Sequence, residues 1–191
     1  MKELILASNS PRRQELMREA GFAFTVRTLD VDESFDDSIP VLEVAEYIAK
    51  KKNKAYRKEL KDEIILTSDT VVIVEDEILG KPVDEKDAFR MLNSMIGGDH
   101  LVISAVCISS VDKEVSFSDI VKVTMNELSE EEIRFYIDKY KPYDKAGAYG
   151  VQEWIGMVAI NEIKGSYYTV MGLPIHKVYR SLKEDFNILP F

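Results

Sequence analysis

Ile64-Ile65-Leu66-Thr67-Ser68-Asp69-Thr70-Val71-Val72-Ile73-Val74 is the stretch that decides the fold. It is nearly continuous in apolar and β-branched residues, the pattern of a strand covered on both faces. One carboxylate, Asp69, stands in its middle. Burying that carboxylate unpaired would cost roughly 2 kcal/mol or more, so a metal ion, a lysine or a polarised water must answer it. The alternative, from local sequence, is that Asp69 sits at a strand end and caps a turn.

Working outward, Leu4 to Ala7 reads as a short buried strand that feeds Ser8-Asn9-Ser10-Pro11-Arg12-Arg13, where Ser10 can cap a helix and Pro11 suits its first position. Leu16, Met17 and Ala20 share one face of that helix, Gly21 stops it, and Phe22 to Val26 resumes an extended pattern. Val41, Val44, Ala45, Ile48, Ala49 and Ala55 recur at helical spacing and predict a long amphipathic helix from about Val41 to Leu60. After the central strand, Glu75-Asp76-Glu77 turns toward Gly80-Lys81-Pro82, and Glu85 to Ile96 is a second amphipathic helix ended by Gly97-Gly98. His100 to Val111 and Glu114 to Met125 form a hairpin about Asp112-Lys113. Ser129-Glu130-Glu131-Glu132 caps a helix to about Lys139. A Gly-rich segment spans Ala146 to Gly150, Ile155 to Ile163 is expected as the last long strand, and Leu173 to Leu182 as the closing helix. No repeat or linker interrupts this order, so the expectation is an α/β fold with a mixed, twisted sheet flanked by helices, two-lobed but one domain over residues 1–191.

The 191 residues, 46% of them hydrophobic, suffice for a sizeable core. Acidic residues outnumber basic ones 34 to 25, a net charge of -9, which argues against a surface built to hold nucleic-acid phosphates. The single Cys107 lies in an apolar run and is read as a buried thiol; an intrachain disulfide and a Cys-rich metal site are excluded. His100 and His176 are too few and too far apart for a histidine metal site. No apolar run is long enough to span a bilayer and the first residues lack a signal-peptide core, so no membrane partner and a cytoplasmic location are expected.

Other residues are costly where they stand. Arg12 and Arg13 occupy the first turn of a helix, whose free N–H groups already favour anions, and Ser8 and Ser10 stand alongside. A phosphate site and a pair of solvated arginines are both compatible with that. Lys52 falls on the apolar helix face, four residues after Ile48, and wants a partner unless it snorkels. Lys50, Lys51, Lys54 and Lys58 populate the other faces and read as a solvated basic run. Lys81 and Lys145 stand in small-residue loops that let a ligand approach the backbone. Glu33 and Asp32 could each supply a second carboxylate toward a metal. Neither a Walker loop nor a nucleophile elbow is present.

Taken in order, Leu6-Ala7-Ser8-Asn9-Ser10-Pro11-Arg12-Arg13, Ser68-Asp69-Thr70-Val71-Val72, Gly80-Lys81-Pro82, Asp144-Lys145-Ala146-Gly147-Ala148-Tyr149-Gly150-Val151-Gln152 and Met171-Gly172-Leu173-Pro174 look like signature blocks. Through them almost the whole chain resembles the Maf family of nucleoside triphosphate pyrophosphatases, with its ITP pyrophosphatase-like fold. The resemblance implies hydrolysis between the α- and β-phosphates, with Mg²⁺ or Mn²⁺ as cofactor. Asp69 matches the family's general base and, with Glu33, a metal ligand. Ser8, Arg13, Lys52, Lys81 and Lys145 match substrate-binding positions. Arg12, Thr70 and Gln152 resemble the branch acting on dTTP and UTP, whereas Glu153-Trp154 departs from it, because a glycine is usual after the glutamine. A homodimer is implied as well. An alternative carried by the same resemblance is a nucleotide-binding regulator of cell division and septum formation.

Overall fold

The computed structural model describes residues 2–57 and 60–191. The strands are β1 (Leu4–Leu6), β2 (Thr25–Val26), β3 (Ile64–Val74), β4 (Glu77–Leu79), β5 (Asp99–Ser109), β6 (Glu114–Met125) and β7 (Ile160–Lys164). The helices are α1 (Pro11–Glu19), α2 (Val44–Arg57), α3 (Glu85–Met95), α4 (Glu130–Tyr140), α5 (Trp154–Val158), α6 (Tyr167–Met171) and α7 (Ile175–Phe186). They make a seven-stranded sheet ordered β2-β1-β3-β5-β6-β7, with β4 paired to β3. It is mixed, as expected: β1 runs parallel to β2 and β3, while β3–β4 and β6–β7 are antiparallel.

Two compact units emerge. The first holds residues 1–69, 104–119 and 172–191. There Ile5, Leu6, Ile65 and Leu66 are fully covered, as the run of β-branched residues requires. Helix α1 begins where the sequence places it, with the Ser10 hydroxyl accepting from the Arg13 N–H and Pro11 in the first turn. Two buried polar side chains bolt α2 down. Asn53 donates to the Cys107 carbonyl at 3.0 Å and accepts from the Ser109 hydroxyl at 2.5 Å; Thr67 donates to the Ala49 carbonyl at 2.8 Å. Such satisfied buried groups fix rotation about the helix axis as apolar packing alone does not. The described part of this helix runs to Arg57, Leu60 at its expected end is not helical, and Lys58 lies outside the described residues.

The second unit holds residues 70–103 and 120–171. Its core is built by Val72, Leu79, Leu92, Met95, Val102, Val121, Val123, Tyr136, Ile137 and Ile155. Helix α4 carries the predicted capping box, Ser129 and Glu132 satisfying each other's backbone N–H groups. Strand β4 was not anticipated: Glu75 and Asp76 both take positive φ, 48° and 69°, so the chain reverses in two residues. The long strand expected over Ile155 to Ile163 is replaced by α5 followed by the shorter β7. The turn into α5 is tight enough to need a glycine, since a Cβ on Gly156 would lie 1.8 Å from the Val151 carbonyl oxygen. Trp154 then packs edge-on against Phe135, at 5.2 Å between centroids, instead of lining a sheet. The closing helix starts at Ile175, after Pro174, and runs to Phe186.

Candidate active site

Five of the residues singled out from sequence come together in the first unit. Asp69 lies inside β3, not at its end, and is buried at 8% exposure, which disposes of the turn-capping alternative. The answer to its charge is Lys52. From the inward edge of α2 the Lys52 Nζ donates to Asp69 Oδ1 at 2.8 Å and pairs with Glu33 Oε1 at 2.8 Å. Arg13 is clamped from α1: its Nε donates to the Gly172 carbonyl at 2.8 Å, and its Nη1 to the Ser68 carbonyl at 3.0 Å and to the Ser8 hydroxyl at 3.4 Å. Ser8 itself is buried just beyond β1 and also accepts from the Ser10 N–H.

The electrostatics of this cluster are opposed. Burial pushes the Asp69 carboxyl above the usual carboxylate range, while the charges of Lys52 and Arg13 pull against that rise. Burial likewise disfavours the Arg13 charge, and Asp69 supports it. A carboxylate made more basic by desolvation, yet kept accessible to a cation, is suited to accept a proton from water.

The donor set also fits a hard divalent cation. Asp69 and Glu33 present carboxylate oxygens that meet on a single atom, the Lys52 Nζ. No group of three His, Cys, Asp or Glu side chains able to hold a metal occurs among the described residues. Mg²⁺ is commonly held by one or two carboxylates, with water and substrate phosphates completing its shell. Asp32, weighed beside Glu33 from sequence, turns away: its carboxylate takes the Ser34 N–H at 2.9 Å and the Lys51 ammonium at 3.0 Å.

The outward face of α2 has the solvated character expected of it. Lys50, Lys51, Lys54 and Arg57 line an open cleft of about 610 Å³ with Tyr47 and Glu114. Most of these cations are answered within the protein, Lys51 by Asp32, Arg57 by Glu114 at 2.7 Å and Lys50 more loosely by Glu46 at 4.0 Å.

In the second unit the loops of Lys81 and Lys145 are tied together, because the Gly147 N–H donates to the Gly80 carbonyl at 3.0 Å. Gly147 is required there: its φ is +66°, and a Cβ would meet the Val72 side chain at 2.9 Å. Lys81 and Gln152 are exposed, and Thr70 is half-buried. Lys145 is buried and held between Asp144 Oδ1 at 2.7 Å and Glu153 Oε1 at 3.1 Å. The other Glu153 oxygen accepts from the Tyr136 hydroxyl, which in turn takes the Gly150 N–H at 3.1 Å. Sequence reasoning marked Glu153 only as a departure from a pattern. Its pairing with Lys145 and Tyr136 is non-local, and no spacing signals it.

The family model described as Maf-like protein matches residues 3–185. The chain belongs to the Maf family. Among relatives of this Maf chain, a dTTP/UTP pyrophosphatase of Bacteroides thetaiotaomicron is 48% identical over 184 residues, 95% of either chain. Another, of Parabacteroides distasonis, is 47% identical over 183 residues, again 95% of either chain. A dTTP/UTP pyrophosphatase of Flavobacterium psychrophilum is 46% identical over 178 residues, 93% of this chain and 91% of that one. Among solved structures, the Ham1 protein of Staphylococcus aureus is 18% identical, with a TM-score of 0.46 over 65% of this chain and 72% of that one.

Three other residues named from sequence are Arg12, Cys107 and His100. Arg12 stands half-buried in the first turn of α1 beside Arg13. Cys107 is fully buried and its thiol is pushed up to about 12 by burial, which makes it inert. His100 is buried too and bonds Tyr149 at 2.7 Å.

Proposed function

We propose that this Maf chain hydrolyses nucleoside triphosphates, dTTP and UTP foremost, to the nucleoside monophosphate and pyrophosphate. The observation that carries the reading is the buried Asp69 carboxylate, raised by desolvation and held by Lys52, in a chain 48% identical to a dTTP/UTP pyrophosphatase over 95% of its length. Water attacks the α-phosphorus; its oxygen forms the new P–O bond, its proton passes to Asp69, and the bond to the α,β-bridging oxygen breaks to release pyrophosphate. Arg13, Lys52, Lys81 and Lys145 offset the phosphate charge, and the N–H groups at the start of α1 add donors. Ser8 keeps Arg13 in place through its hydroxyl. Asp69 and Glu33 would hold Mg²⁺ or Mn²⁺, which when bound neutralises phosphate oxygens.

Gln152 reads the pyrimidine edge with an amide that both donates and accepts, while Arg12 and Thr70 shape the pocket. Residues 1–191 act as one catalytic domain, supported by a family match running from residue 3 to 185. We place the protein in the cytoplasm as a homodimer that binds neither nucleic acid nor membrane; no helix among the described residues is long and apolar enough to cross a bilayer. The regulator-only alternative has no observation in its favour, since a binder has no need of a desolvated carboxylate beside its phosphate cations.

Pyrophosphate release from dTTP, UTP, CTP, purine and modified triphosphates, each with Mg²⁺, Mn²⁺ or EDTA, tests the reading. Cation-dependent release that ranks dTTP and UTP first supports it. Tight nucleotide binding with no release under any cation would transfer the protein to the regulatory class.

A further inference from the structure

We infer that Lys51 is a positioning residue for Glu33. Residues 27–36, which follow β2, form no regular structure, so no helix or strand of their own fixes where the Glu33 carboxylate points. The two residues flanking it are fixed from α2 instead. Lys51 Nζ donates to Asp32 Oδ2 at 3.0 Å, to the Ser34 carbonyl at 2.7 Å and to the Ser34 hydroxyl at 3.4 Å. Asp32 closes the turn by accepting from the Ser34 N–H at 2.9 Å and its hydroxyl at 2.5 Å. Three acceptors on one ammonium are a fuller set than an ordinary surface pair makes.

Adjacent residues on a helix project about 100° apart. Lys51 therefore leaves α2 on its outer side while Lys52 leaves on its inner side, where it meets Glu33 at 2.8 Å and Asp69 at 2.8 Å. One helix thus grips the segment through two consecutive side chains, Lys51 on the turn and Lys52 on the carboxylate the turn presents. The inference deepens the pyrophosphatase reading and rests on it for its consequence in catalysis, because Glu33 is the second carboxylate of that site.

The test compares Lys51→Met and Lys51→Arg in the full chain by three measurements: hydrogen exchange at the Ser34 amide, the ¹³C carboxylate resonance of Glu33, and steady-state kinetics on dTTP. Loss of the clamp in Lys51→Met should speed Ser34 exchange and lower kcat by about fivefold each, equivalent to about 1 kcal/mol. The Glu33 resonance should move toward that of a free glutamate. Lys51→Arg, which keeps the charge and several donors, should return all three toward wild type. If Ser34 exchange rises while the Glu33 resonance and kcat stay put, Lys51 merely staples the loop and the inference fails; unchanged exchange overturns it outright. A wild-type protein without turnover, in which Lys51→Met still moves the Glu33 resonance, would retire the pyrophosphatase reading and leave the positioning role standing.

Discussion

Replacing Lys52 by methionine removes the ammonium on which the Asp69 and Glu33 carboxylates meet, and keeps most of its apolar volume. At 2.8 Å, an effective permittivity near 20 gives about 6 kcal/mol of attraction for the Asp69 pair, an upper bound before water and relaxation act. Breaking a buried pair by deleting one partner costs about 3–5 kcal/mol, provided the other charge stays. Glu33 adds little to this, being half exposed, so water replaces its partner. Asp69 is buried and has another way out, which is to take up a proton. Its carboxyl is already raised in the native protein by burial; without Lys52 it rises further above its unfolded value. A group raised on folding gives stability that is fully present below the unfolded pKa and lost as pH climbs through the folded one. The Lys52→Met penalty should therefore be about 3 kcal/mol at pH 8 and shrink steadily toward pH 5. Urea unfolding of wild type, Lys52→Met, Asp69→Asn and the double variant across that range measures it, and the double variant should recover most of the loss. A penalty independent of pH, or a double variant no more stable than Lys52→Met, would refute the claim that Lys52 is there to carry the Asp69 charge.

Asp69→Asn should fold and lose about 10²–10⁴-fold in kcat, the usual worth of a general base; a folded variant with normal turnover removes Asp69 from that role. In the wild type, because burial raises Asp69, kcat/KM should fall with acid while pH is still above the ordinary carboxylate range of about 4, a limb absent from Asp69→Asn. Replacing Gln152 by Glu should change the ranking of dTTP and UTP against other triphosphates, and an unchanged ranking would take base reading away from it. His100, held neutral by burial at about 4, should cost stability as pH falls from about 6.5 toward 4, by about 3 kcal/mol in all; a His100→Gln variant should show a flatter acid limb in urea unfolding. Gly147→Ala forces a side chain into positive φ against Val72, and should lose about 1–3 kcal/mol of stability, read as a lower thermal midpoint.

What could be foreseen from the residues followed cost. Asp69 in an apolar strand and Lys52 on an apolar helix face each demanded a partner, and the structure shows that they demanded each other. Arg13 was legible because the helix start around it is set by a local rule, Ser10 before Pro11. The turn at Glu75-Asp76 was legible, but strand β4 after it was hidden because its three residues, Glu77–Leu79, are too few to show an alternating pattern. Helix α5 was hidden because Trp154 and Ile155 suit a strand equally well, and the close approach of Gly156 to the Val151 carbonyl is visible only in the fold. Contacts such as Lys145 with Glu153, Glu153 with Tyr136 and Lys51 with Asp32 leave no periodic trace. Each joins a loop to an element or to another loop, and loop side chains carry no repeat from which a partner can be inferred.

One property runs through both units. Lys52 stands between Asp69 and Glu33, and Lys145 between Asp144 and Glu153. Lys52 and Lys145 are thus each answered by two carboxylates before substrate arrives, with Arg13 adding its charge beside Asp69 and Glu33. A phosphate that approaches Lys52 must displace Asp69 or Glu33 from the ammonium, and one that approaches Lys145 must displace Asp144 or Glu153. A triphosphate that arrives with its divalent cation brings the charge those carboxylates can turn to. Binding of a non-hydrolysable dTTP analogue should consequently be at least about tenfold weaker in EDTA than in Mg²⁺, a difference of about 1.4 kcal/mol. Calorimetry on the Asp69→Asn and Glu153→Gln variants should find that dependence reduced, since each starts with one carboxylate fewer. Equal affinity with and without the cation in the wild type would mean that the lysines reach the phosphates without giving up their carboxylates, and the charge exchange would have to be abandoned.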